Sequence, residues 1–135
     1  MGLALVGYLA YPTAPPRFLP EWGFTDTVAN FVGESAENSA DVLYNPFAAV
    51  PSMHVAFALM IAIPAIFLVR RRVFKVLWAT YPLVITFVVV VTANHYWVDA
   101  VLGALVAAVS AWAATAAFAR ARPDAWAWHS AAAKA

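Results

Sequence analysis

The chain has no cysteine. That excludes disulfides, thiolate metal sites and thiol nucleophiles, and it says nothing about compartment. Charge is scarce too: 11% of the 135 residues are charged, against about 25% in an ordinary soluble domain. The net charge of +1 gives no bulk attraction to a polyanion, so no nucleic-acid partner is expected. No basic segment precedes an apolar stretch, so no signal peptide is expected. What fills the chain instead is apolar, 64% of it. That excess is too large for a soluble core, which needs about 45–50%. It collects in long uncharged runs, and the reading is one membrane-embedded all-α domain over residues 1–135.

Residues 1–11 are apolar but shorter than the roughly 20 residues a spanning helix needs, and read as the latter part of a helix. Residues 12–51 form a polar region. Pro12, Pro15, Pro16 and Pro20 break any helix there. The spacing of Val28, Phe31, Val32 and Leu43 among acidic residues predicts a short amphipathic interfacial helix within 24–43. Three spans follow, over 53–69, 76–93 and 97–119, and 120–135 reads as a frayed tail. Ser52 is the expected N-cap of the first span, Pro64 a kink within it, and Asn94 the cap of the third. The expectation is a multi-pass helical bundle with three full spans and a partial N-terminal helix.

The basic residues orient it. Arg70, Arg71, Arg72 and Lys75 share one short loop, and Arg120, Arg122 and Lys134 lie in the tail. Three crossings put loop and tail on one side, which the positive-inside rule makes cytoplasmic. Residues 12–51 and the turn at 92–96 then face outward. Trp22, Tyr44, Tyr96 and Trp97 suit an interfacial aromatic belt.

The outward face gathers the residues capable of chemistry. His95 and Asp99 are four residues apart, one helical turn on one face. A carboxylate there can accept a hydrogen bond from one ring nitrogen, leaving the other as nucleophile or base. Asp99 lies inside an apolar run, where an unpaired carboxylate is costly, so it needs a partner. Ser52 and His54 open a helix whose free N–H groups and positive dipole end suit a phosphate. His54 is placed to act as acid toward a leaving oxygen. Arg17 is the sole basic side chain assigned to this face.

Each residue also has a plainer reading. An interfacial histidine is more often structural, Ser52 can be simply a cap, and Arg17 can snorkel to head groups. RRRVFK serves as a topology signal first and an anionic-lipid contact second. Two histidines and an aspartate could also hold zinc in an open three-ligand site, although short-spaced zinc patterns are absent. A catalytically silent scaffold is the alternative to an enzyme. A channel or transporter lacks a visible repeat.

The motifs resemble a known family. Pro51-Ser52-Met53-His54 looks like the central P-S-x-H motif of the type 2 phosphatidic acid phosphatase superfamily, and His95-Tyr96-Trp97-Val98-Asp99 looks like its last motif, H-x-x-x-D. The 40 residues between the two histidines suit a hairpin of two spans. The family's last motif commonly opens with Ser-Arg, where this chain has Val88 and Val89, and its first motif has a lysine, absent here before Arg17. Tyr11-Pro12-Thr13-Ala14-Pro15-Pro16-Arg17, with the run A-N-H-Y-W-V-D, is more similar to the inositolphosphotransferase-type branch, which includes inositol phosphorylceramide synthases.

The resemblance implies the C-terminal part of a six-span fold and a membrane lipid as substrate. His95 would attack phosphorus, Asp99 would orient it, and His54 would protonate the leaving alcohol. Ser52 and Arg17 would hold the phosphoryl oxygens, with no metal or other cofactor. With no arginine at positions 88 and 89, positive charge must come from Arg17, Ser52, the helix N-termini and protonated His54.

Overall fold

A computed structural model describes residues 2–26 and 47–121. Four α-helices carry the architecture: α1 Gly2–Ala10, α2 Met53–Leu68, α3 Arg72–Val91 and α4 Trp97–Ala121. Two single-turn 3₁₀ helices, Pro16–Phe18 and Pro20–Trp22, each open on a proline. There is no strand among the described residues; Thr13 and Ala48 make one isolated parallel bridge. The all-helical expectation is met. The amphipathic helix expected within 24–43 falls largely on residues outside the described set, as does Tyr44, and Phe24–Asp26 are not helical. The tail beyond Ala121 also lies outside it.

Helices α3 and α4 are long and apolar enough to cross a membrane. The expected first span is the exception. Helix α2 is apolar but only 16 residues long. At about 1.5 Å per residue that is near 24 Å, short of the roughly 30 Å hydrocarbon core. The basic turn is also tighter than expected, because α3 begins at Arg72 and takes Lys75 into its first turn. Most of the outer surface of α3 and α4 is apolar, with Leu83, Phe87, Val91, Val101, Leu105 and Trp112 exposed. That surface suits lipid rather than water. With two helices of spanning length and a shorter apolar one among the described residues, the chain fits an integral membrane protein.

Small residues let the helices approach. Ala56, Ala58 and Ala62 on α2, Ala100 and Ala107 on α4, and Ala4 on α1 are buried. Helix α2 packs against both α3 and α4, and α1 touches α4. Two glycines set the closest approaches. A methyl group on Gly103 of α4 would land on the Ser52 carbonyl oxygen, and one on Gly7 of α1 would come within 2.9 Å of the Pro51 ring. The segment Val50–Ser52, which contains a cis Val50–Pro51 bond, is thus gripped between α1 and α4. Tyr8 adds a hydrogen bond from its hydroxyl to the Pro51 carbonyl at 2.9 Å.

The buried apolar cluster is Val55, Val89 and Ala100, with Leu59, Ile85 and Ala104 packed around it. Val55 follows His54, Val89 sits beneath the turn carrying His95, and Ala100 follows Asp99. The firmest packing therefore lies directly under the candidate residues.

Candidate active site

Helix α3 ends at Val91, and the chain reverses with Ala93 in the left-handed region at φ 55°. An alanine there costs about 1–2 kcal/mol relative to a right-handed residue, so the surrounding bonds must hold the turn. The Asn94 and His95 N–H groups both donate to the Val89 carbonyl at 3.0 Å, and Ala93 N–H donates to Val90 O at 3.0 Å. This folds His95 back over the bundle, with its residue only 5% exposed.

The His95 ring is held on both edges. Nδ1 lies 2.8 Å from the Ala49 carbonyl oxygen and 3.5 Å from Asp99 Oδ2. Both neighbours are acceptors, so the network assigns the hydrogen to Nδ1. Nε2 then carries a lone pair, and it faces His54 Nδ1 at 3.1 Å. For that contact to be a hydrogen bond, His54 must present Nδ1–H. The rings meet edge to face, 65° apart.

The expected pairing of His95 with Asp99 needs one correction. The direct hydrogen-bond partner of Nδ1 is the Ala49 carbonyl, and the carboxylate stands at ion-pair range behind it. Asp99 Oδ2 instead accepts 2.8 Å from the Tyr96 N–H, closing the first turn of α4. Asp99 is 1% exposed, so its charge acts through a dry environment on the neighbouring imidazole. Outside the spans, burial first and Asp99 second push the Tyr96 phenol above its ordinary value, so it stays protonated.

Ser52 is the expected N-cap of α2: its hydroxyl accepts from Val55 N–H, although at a long 3.5 Å. It was also expected to hold phosphoryl oxygens, and here the geometry differs. Ser52 is completely buried, its own N–H donates to the Asp99 carbonyl at 3.0 Å, and it does not line the cavity. Its place is beneath the site, joining α2 to α4.

Arg17 is brought to the histidines. It does not snorkel outward; it is 5% exposed. Its N–H donates to the Ala93 carbonyl at 2.9 Å, and Nη1 donates to Asn94 Oδ1. Asp26 Oδ1 is 3.4 Å from Nε. Two hydrogen bonds around Thr13, with Phe47 O at 2.8 Å and Ala49 N at 3.2 Å, tie the segment before Arg17 to the one before His54.

These groups surround a cavity of about 330 Å³, at the small end of the ~300–1,000 Å³ typical of ligand pockets. Arg17, Asn94, His54 and His95 make one polar wall, and Leu5, Tyr8 and Leu9 of α1 make an apolar one. His54 is the exposed member of the pair and His95 the buried one. Among the described residues no cluster of three or more His, Cys, Asp or Glu could hold a metal ion.

Sequence reasoning missed four participants. The Ala49 carbonyl carries no side-chain signal. Asn94 was expected as a helix cap but binds Arg17; its position beside His95 was the available clue. Tyr8 and Asp26 lie outside the motifs, and nothing local marks them.

Comparison with known proteins agrees with the motifs. No curated protein and no solved structure matches the chain. A family model described as PAP2 superfamily matches residues 1–113, which includes every residue of the site, and the chain belongs to that superfamily of phosphatases and phosphotransferases.

Proposed function

We propose that this chain cleaves or transfers a lipid phosphate ester through a phosphohistidine at His95. The observation that carries the reading is the His54–His95 pair, 3.1 Å apart on a cavity wall shared with buried Arg17. His95 has the tautomer a nucleophile needs. Its Nε2 lone pair forms the N–P bond as the ester P–O bond breaks, and His54 gives a proton to the departing alkoxide. The Ala49 carbonyl and Asp99 stabilise the cationic imidazole of the phosphoenzyme. In the second half, water or an alcohol attacks phosphorus, the P–N bond breaks, and His54 takes the proton of the incoming oxygen.

The pair must open to admit a substrate. An attacking atom sits about 3–3.5 Å from phosphorus in a near-attack geometry, and His54 Nδ1 already occupies that distance from His95 Nε2, at 3.1 Å. His54 is the exposed ring, at the first turn of α2, and is the one that swings. Arg17 supplies positive charge to the equatorial oxygens, helped by the first N–H groups of α2, which have no partner within the helix.

The inositolphosphotransferase-type branch is favoured by the run from Ala93 to Asp99 and by an arginine delivered from position 17 rather than from 88 or 89. The site faces outward, because Arg70, Arg71 and Arg72 gather at the opposite end of α2 and α3.

The test uses detergent-solubilised protein and a panel of radiolabelled lipid phosphates and phosphoinositides, wild type against His95→Ala, with and without chelator. Chelator-insensitive release or transfer that vanishes in the variant supports the mechanism, and the labelled product separates phosphatase from transferase. Full activity in His95→Ala refutes it. A wild type inert toward the whole panel favours the silent scaffold.

A further inference from the structure

We infer that Asn94 is a positioning residue that fixes the Arg17 guanidinium at the phosphoryl site without adding a second negative charge beside it. The inference rests on the function proposed above. Asn94 lines the cavity beside His95, and its Oδ1 accepts from Arg17 Nη1. The amide orientation follows from the partners, since a guanidinium only donates. Its Nδ2 donates to Thr92 Oγ1 at 2.7 Å, and that hydroxyl donates to the Val88 carbonyl at 2.7 Å. The Asn94 N–H is bound to Val89 O at 3.0 Å. A continuous chain of bonds therefore runs from the end of α3 through Thr92 and Asn94 to Arg17. Positions 88 and 89 bring no cationic side chain, but their carbonyls anchor the turn that holds a cation from elsewhere.

The chemistry explains why an amide suits this position. Arg17 already has Asp26 at 3.4 Å. A second carboxylate at 94 would hold the guanidinium more tightly but leave a net negative surround, repelling a phosphoryl group. A neutral amide fixes the fork and adds no second negative charge to that of Asp26. Because Arg17 is buried and bonded at both its backbone and its side chain, little rotamer freedom remains to be lost when an anion arrives.

The test measures orthovanadate binding and competitive inhibition by inorganic phosphate in the full chain, together with kcat and KM. The variants are Asn94→Ala, Asn94→Asp and Asp26→Asn. Asn94→Asp keeps the acceptor for Arg17 and loses only the Nδ2 donor to Thr92 Oγ1, whereas Asn94→Ala loses both bonds, so a merely structural role makes Asn94→Asp the better-tolerated change. Charge-preserving positioning reverses that order. Asn94→Asp weakens oxyanion binding and raises KM by about tenfold or more, Asn94→Ala weakens them less, and Asp26→Asn strengthens binding. Vanadate affinity in Asn94→Asp equal to wild type, or better than in Asn94→Ala, overturns the inference while leaving the phosphohistidine reading intact. A wild type that neither binds vanadate nor turns over substrate removes the phosphoryl site itself, and the inference with it.

Discussion

Gly103→Ala is the sharpest perturbation of the scaffold. The added methyl lands on the Ser52 carbonyl oxygen, a backbone atom that also accepts the Ala56 N–H of the first turn of α2. It cannot rotate away, so α2 and α4 must part by roughly 1 Å at this level. Overpacking of this kind costs about 1–3 kcal/mol, and replacing a mid-helix glycine by alanine returns about 0.5–1 kcal/mol. The net loss of stability is therefore modest, between about zero and 2.5 kcal/mol. Activity suffers more, because Ser52 is two residues from His54 and bonded to Asp99. A shift near 1 Å between catalytic groups can cost about 10²-fold, and kcat/KM should fall by about 10- to 100-fold while the protein remains folded. Gly2→Ala is the control, since nothing lies within 4 Å of a methyl group there. The assay pairs detergent-resistant unfolding with turnover of a phosphate ester, both measured on purified protein. Wild-type kcat/KM in Gly103→Ala would refute the claim that the Ser52–Gly103 contact sets the distance between the histidines.

Other substitutions separate structural from chemical roles. Asp99→Asn keeps an acceptor for Tyr96 N–H but removes the carboxylate beside His95; stability should hold while kcat drops at least about tenfold, because the imidazole loses an oriented electrostatic partner. Asp99→Ala loses the helix-end bond as well and should cost about 1 kcal/mol more in unfolding. Tyr8→Phe removes the bond to the Pro51 carbonyl and should lower stability by about 1 kcal/mol, read as a shifted melting midpoint. Ala93→Gly relieves the left-handed alanine and should raise stability by up to about 1 kcal/mol; a fall would mean that the turn is not strained.

Much of this architecture was legible in the chain because bilayer physics is coarse. Long uncharged runs locate α3 and α4, and their ends miss by only a few residues, since hydropathy does not report where the basic turn tightens. The apolar run at 53–69 is helix α2 to within one residue, but at 16 residues it is shorter than the other two apolar helices. The histidines, Arg17 and Asp99 were found as a set because charged and titratable groups are rare on that face. Their pairing was less legible. Asp99 has two candidate hydrogen-bond donors within a turn, the His95 ring and the Tyr96 N–H, and sequence spacing cannot choose between them. Ala49 takes the ring proton through a main-chain carbonyl, which leaves no trace in residue type. Ser52 reads equally as cap and as ligand from sequence, and only its complete burial against α4 separates the two. Asn94 failed for a related reason: as a short amide next to a helix start it has a ready local role, and its actual partner is 77 positions away.

The most direct measurement is to incubate wild type and His95→Ala with a ³²P-labelled lipid phosphate, quench in alkali and map the labelled peptide. The account predicts an acid-labile, alkali-stable label on His95 in the wild type and none in the variant. Turnover by wild type with no trapped label at His95, or label retained in His95→Ala, would contradict it.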